Sequence, residues 1–423
     1  MTMTRSARAR RWVTELVVLA AVGGALAACG GGAGDMLSVG AVFPLHGMQS
    51  TLATQELRGV QIAADLANRQ GGVGGRPIRL VVRDLETRDG ARAAVDSLQR
   101  AGVPLVVGAF SSQLSMPAAA AAASDGLVYW EAGAVADRLT GQGSPLVFRV
   151  GATGANLGAN SGRFAATQLA PRLGLAPDRT RVAVVYENDA YGQSVAGAAA
   201  SAVRQAGMPV VADVAYDYYS PHWATVLGQV AAARPDVLIL ASYIPDGVAF
   251  RRAMLAAHLR VGALIGSTMA ECGPNFGDEL GPQAVGVFAS DRPEGGFNPG
   301  ALDRTGRQDY AALVAAWRSE TGQSQPTEEA LAGFAAGWAL FHYVLPHSRG
   351  LTPTAIAAAA RATTLPVGRL PNGAGLRFAA GSDVGQNLLA SAVIWQWQAP
   401  RHSVVVWPAA YATGSPRFVP LPA

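Results

Sequence analysis

Short apolar runs rich in β-branched residues alternate along the chain with longer stretches whose apolar positions recur every three or four residues. Residues 37–45, 78–82, 105–107 and 127–130 are the first four such runs. Runs apolar on both faces are expected of buried parallel strands. Between them, 55–68 places Leu57, Val60, Ile62, Ala63 and Leu66 at helical spacing, and 87–100 and 116–124 also read as helices. The rhythm resumes with strands at 181–186, 210–216, 236–241 and 264–266, separated by helices near 191–206, 224–233 and 246–258. Helices near 306–321 and 327–345 follow, and runs at 389–397 and 404–407 close the chain. Strands alternating with helices of about a dozen residues predict an α/β fold of parallel sheets covered on both faces.

One junction in this pattern carries chemistry. Leu105 to Val107 is a strand, Gly108 lets the chain turn sharply as it leaves, and Ser111 and Ser112 stand where a helix would be capped. Strand end, small-residue loop and helix N-terminus together leave backbone N–H groups unpaired at the C-terminal edge of a sheet. Such an edge suits an anion, particularly a small carboxylate.

Composition narrows the class. The 423 residues are half hydrophobic, enough for one large or two medium domains. Fifty glycines and long alanine runs predict tight turns and closely packed helices, and all 33 basic residues are arginine. Of the formal charge of +4, +3 lies in the first 28 residues, where Arg5, Arg8, Arg10 and Arg11 outweigh Glu15. The remainder holds 29 basic and 28 acidic residues, so nothing argues for nucleic acid. The arginine-rich start, the apolar stretch 16–28 and the small residues before Cys29 have the layout of a secretory signal. Leu26-Ala-Ala-Cys29 resembles the bacterial lipobox, so Cys29 is expected to become a lipidated N-terminus and 30–35 a tether. Only Cys272 remains, which excludes an intramolecular disulfide and C-x-x-C chemistry. The six histidines lack metal-ligand spacing and no G-x-S-x-G elbow occurs, so neither a metal, a cofactor nor an enzymatic role is expected.

The stretches VGAVFPLHG, ELRGVQIAADLANRQGGVGGRPIRLVVRDLETRDGARAAVDSL, VPLVVGAFSSQLSMPAA and GLVYWEAGAVADRLT, in that order, resemble the type I periplasmic binding proteins, and more narrowly the branched-chain amino acid binding proteins of ABC importers. Tyr186-Glu-Asn-Asp-Ala-Tyr-Gly extends the resemblance into the second half. The resemblance implies two Rossmann-like lobes with parallel sheets, joined by a three-crossing hinge that closes around a ligand. Lobe one would comprise 37–150 and 291–380, lobe two 151–290 and 381–423. The protein would be an exported, lipid-anchored solute-binding protein that delivers an amino acid, amide or small carboxylate to a membrane permease. A ligand sensor of the same fold coupled to a signalling partner is the alternative.

The resemblance also assigns residues. Ser112, with Ser111 beside it, would hold a ligand carboxylate, Gly133 and Ala134 would present backbone to the ligand, and Tyr191 and Tyr243 would close over it. Phe110, Trp130 and Trp223 lie near these loops and would add an aromatic wall or belong to the core. Departures stand beside these matches. Thr268 occupies the position of an acidic residue that pairs with the ligand ammonium; Val135 replaces a common threonine and Leu52 a common aromatic residue. Glu131 replaces a small polar residue, and Glu271 lies three residues beyond Thr268. Since a buried carboxylate needs a cation or donor, Glu131 or Glu271 is expected to read a ligand nitrogen.

Overall fold

A computed structural model describes residues 36–268, 271 and 273–422; the expected signal segment and lipidation site Cys29, and Cys272, lie outside the described residues. Twelve strands form two sheets among these residues. The first uses β1 (Leu37–Phe43), β2 (Ile78–Asp84), β3 (Leu105–Gly108), β4 (Val128–Glu131) and β5 (Val147–Arg149) in the order β2-β1-β3-β4-β5. All of its pairings are parallel, with Leu37 opposite Ile78 and Gly40 opposite Val106.

The second sheet uses β6 (Val182–Glu187), β7 (Val210–Tyr216), β8 (Val237–Ala241), β9 (Ala263–Ser267) and β10 (Phe288–Asp291). Two more strands, β11 (Val393–Ala399) and β12 (His402–Trp407), extend it to the order β12-β11-β10-β9-β8-β6-β7. The β10–β11 and β11–β12 pairings are antiparallel and the rest parallel. Strands β3 and β8 are buried throughout, as their unbroken apolar runs require. The fold is the two-sheet α/β arrangement expected from the alternating pattern.

The chain passes between the sheets after β5, after β10 and before β11. After β10 the helices Arg304–Thr321 and Glu328–Trp338 return to lie against the helix Ser50–Arg69, which covers the first sheet. Gln386 still bridges to Arg149 of β5, and the next strand starts at Val393, not at 389. Strands β5 and β10 and the helices Gly154–Phe164 and Pro353–Ala362 were not among the elements predicted. The missed strands read VFR and FASD, too poor in β-branched residues to stand out as apolar runs. The first of these helices reads GANLGANSGRF, a composition typical of loops.

Its glycines serve packing. A Cβ on Gly158 would lie 2.1 Å from the carbonyl oxygen of Val195 in the neighbouring helix Ala190–Gln205. In the same way, a Cβ on Gly59 would lie 2.1 Å from Ala330 O, and one on Gly333 2.0 Å from Glu56 O. Two helix pairs thus meet backbone to backbone, the close packing that the glycine count predicts. Trp130 is core: it is fully buried and donates its indole N–H to Ala336 O at 2.9 Å. Trp223 packs against Tyr216 and Phe250 and is not among the residues lining the cavity that holds the two serines. Among the described residues, no helix is long and apolar enough to cross a membrane.

Candidate functional site

The β3 junction forms as its residues dictate. Gly108 has φ +141°, and a Cβ there would lie 2.0 Å from Val42 O, so the turn requires glycine. Phe110 follows at φ +86°, a conformation costly for an aromatic residue and therefore held by its surroundings. Ser111 is the N-cap of the helix Ser112–Ser124, yet its hydroxyl caps nothing. It is buried and has no hydrogen-bond partner among the described residues. The Ser112 hydroxyl instead accepts the Ala136 amide at 3.0 Å. Of the two serines, Ser111 is the one with an open hydroxyl.

Both serines line one small cavity at the C-terminal edges of the two sheets. Gly133, Ala134 and Val135 after β4 line it from the first sheet, and Tyr191, Tyr243 and Thr268 from the second. Its volume is ≈10 Å³, room for about one water. An amino-acid-sized ligand therefore enters only when these walls part.

The tyrosine wall is saturated with its own hydrogen bonds. Tyr191 donates to the carbonyls of Ser267 at 2.6 Å and Ser242 at 3.1 Å, and accepts from the Thr268 hydroxyl at 2.7 Å. Tyr243 donates to Asp189 at 2.8 Å, and the two rings lie 4.8 Å apart. What this wall presents to the cavity is ring surface. Thr268 itself sits at φ +58°.

Neither Glu131 nor Glu271, expected to read a ligand nitrogen, lines the cavity. Both are fully buried elsewhere. One oxygen of Glu131 accepts the amides of Gly133 at 2.8 Å and Ala134 at 2.9 Å, which takes up the donors that the sequence reading offered to a ligand. Burial pushes Glu131 up to about 7, against the pull of Ser115, these amides and Arg149. Glu271 accepts from Ser242 at 2.9 Å and its side chain lies against Gly266 of β9. Burial raises it well above the usual carboxylate range.

Sequence reasoning missed Arg292, which lines the cavity just after β10. It donates to the carbonyls of Gly133 at 2.8 Å and Ala132 at 3.2 Å, and pairs with Glu328 at 2.5 Å and Asp291 at 3.4 Å. Behind it lies Glu56, fully buried, with neither carboxylate oxygen hydrogen-bonded. A Cβ on Gly133 would lie 2.3 Å from Glu56 Oε2 and 2.6 Å from Phe110 O, so this carboxylate forms the floor beneath Gly133. Burial raises Glu56 well above its ordinary value, Arg292 lowers it, and Glu131, Glu329 and Asp291 raise it further. The cavity therefore rests on a nest of buried carboxylates around one arginine. A helix position that reads as polar in Gln-Glu-Leu-Arg gives no hint of this, because its burial is imposed by the helix Glu328–Trp338.

A sheet-edge cavity with a strand–loop–helix junction on one side and a tyrosine wall on the other is an arrangement that suits a binding protein of two α/β halves. A family model described as periplasmic binding protein matches residues 37–390, and the chain belongs to that family. It is 27% identical over 381 residues to the Leu/Ile/Val-binding protein homolog 8 of Brucella abortus, covering 90% of this chain and 92% of that protein. Among solved structures, an ABC transporter substrate-binding protein from Desulfitobacterium hafniense in complex with Leu superimposes with TM-score 0.70 at 23% identity, covering 88% of this chain and all of that one. A solute-binding protein from R. palustris in complex with benzoate gives TM-score 0.69 at 20% identity, over 90% of this chain and 98% of that one. The fold is that of the type I periplasmic binding proteins, as the sequence resemblance implied.

Proposed function

We propose that this chain is an extracytoplasmic solute-binding lipoprotein of an ABC importer, tethered through Cys29. It captures a small ligand between lobe one (37–150 and 291–380) and lobe two (151–290 and 381–423), and its closed form is recognised by a membrane permease. Membership of the periplasmic binding protein family supports the class. The observation that carries the reading is the convergence of Ser111, Ser112, Gly133, Ala134, Tyr191, Tyr243 and Thr268 on one cavity at the sheet edges. Residues so far apart in sequence meet there only because the two sheets present their C-terminal ends to each other.

The lining favours a ligand carboxylate or amide over an ammonium. It offers the open Ser111 hydroxyl and the first N–H groups of the helix Ser112–Ser124, which lack intrahelical partners. Among the described residues no carboxylate lines the cavity to receive an ammonium, and Thr268 stands in that place. The R. palustris protein, bound to benzoate, is a fold neighbour whose ligand carries a carboxylate and no ammonium. Thermal shift and calorimetry of the purified protein with leucine, 4-methylpentanoate, 4-methylpentanamide and 3-methylbutylamine test this. Carboxylate and amide are expected to raise the melting temperature, because a ligand that binds only the folded state stabilises it. Binding by the amine alone, or by none of the four and no other small carboxylate, would overturn it.

A further inference from the structure

A larger cavity lies on the other side of the Arg292–Glu328 pair, with a volume of ≈650 Å³, within the range of small-molecule sites. Its lining combines indole surface with carboxylates. Trp395 and Trp397, two apart on β11 and so on one face, are both buried against it, with ring centroids 6.1 Å apart. The Trp395 indole N–H is buried without an acceptor among the described residues.

The charges around it do not balance. Asp278 pairs with Arg401 at 2.6 Å on the exposed rim, and Glu328 pairs with Arg292. Glu294 and Glu329 make no ion pair among the described residues. Glu294 accepts from the Ser403 hydroxyl at 2.7 Å, and Glu329 sits in the first turn of its helix beside Thr327. The two repel one another, and burial together with that repulsion pushes Glu294 up to about 7. Burial likewise pushes Glu329 up to about 7. A cation seated between them would restore their charge. Among the described residues no three acidic, histidine or cysteine side chains come together to hold a metal ion. Indole faces beside the carboxylates favour an organic cation, attracted by both charge and ring quadrupole.

We propose that this cavity is a second ligand site, taking an organic ammonium compound that also carries an oxygen acceptor. Its charge is received by Glu294 and Glu329, its alkyl groups by Trp395 and Trp397, and its oxygen by the Trp395 N–H. The site goes beyond the cleft function and uses none of the residues lining the smaller cavity.

The test titrates the full-length purified protein with choline, which has both features, and with its uncharged isostere 3,3-dimethylbutan-1-ol, following intrinsic tryptophan fluorescence and heat. Choline is expected to bind saturably and the isostere at least about tenfold more weakly, the factor that ~1.4 kcal/mol of charge recognition supplies. Glu294→Gln and the milder Trp395→Phe should each weaken choline by a similar factor, while Asp178→Asn on the exposed surface leaves it unchanged. No choline binding up to about 10 mM, equal binding of the isostere, or wild-type affinity in both site variants would overturn the proposal.

Discussion

Two walls face each other across the small cavity, and each buries carboxylates in its own way. Beneath Gly133, Glu56, Asp291 and Glu328 gather around Arg292, while Glu131 takes its charge support from Arg149. On the second-sheet side, Glu187, Asp189, Asp246 and Glu271 gather without any arginine or lysine in the cluster. They rely on hydroxyls: Tyr243 donates to Asp189, Tyr216 to Asp246 and Ser242 to Glu271. Around Arg292 the acids share one cation; on the second-sheet side neutral hydroxyl donors stand in its place. One group therefore depends on a single side chain, and the other on several hydroxyls.

Replacing Arg292 with methionine breaks the first wall outright. It leaves buried acids without their cation and two carbonyls without a donor, so a loss of about 3–5 kcal/mol in equilibrium denaturation is expected. If Arg292→Met unfolds at the wild-type denaturant midpoint, the arginine does not hold that wall together.

pH tests the buried acids of both walls next. Glu187 is pushed up to about 8 and Asp246 to about 6, chiefly by burial, and Glu131 to about 7 on the other wall. Each binds its proton more tightly folded than unfolded. Their contribution is fully present below about pH 4 and is lost as pH rises through these values. Stability is expected to fall by several kcal/mol between about pH 5 and pH 8, since each group costs ~1.4 kcal/mol per pH unit up to its folded value, read as a decreasing urea midpoint. A midpoint that rises over that interval would show the acids ionised in the folded protein.

Tyr243→Phe tests a single hydroxyl of the second wall. Asp189 loses its side-chain donor, so destabilisation of about 1–3 kcal/mol is expected, larger at pH 8 than at pH 5. A cost independent of pH would show that Asp189 does not carry it.

The smallest effect on the fold should come from Ser111→Ala, whose hydroxyl has no partner to lose. Stability should stay within about 0.5 kcal/mol, while affinity for a carboxylate ligand falls about tenfold. Unchanged affinity would show that the ligand does not use this hydroxyl.

Much of this was legible in the chain. The β3 junction is local: its strand, its obligatory glycine and its serines stand in consecutive positions, so the strand–turn–helix junction could be read directly. The tyrosines and Thr268 were placed by family resemblance, and they do share a cavity with the serines. What could not be read are features set by distant segments. Glu56 looks like the polar face of an amphipathic helix until a second helix covers it. Arg292 follows the strand FASD, whose few apolar residues do not stand out as a run. Glu131 looked free because its partners, the Gly133 and Ala134 amides, seemed available to a ligand.

The absent methyl groups at Gly59 and Gly333 bear on proton affinity. They let the helices Ser50–Arg69 and Glu328–Trp338 touch along their backbones, and that contact fixes how far Glu56 stands from Glu328 and Glu329. The two helices act as a gauge block, and the distance they set governs how strongly those carboxylates repel. A slide of one helix along the other, or a single methyl wedged between them, would retune the acidity beneath the cavity without altering any residue that lines it.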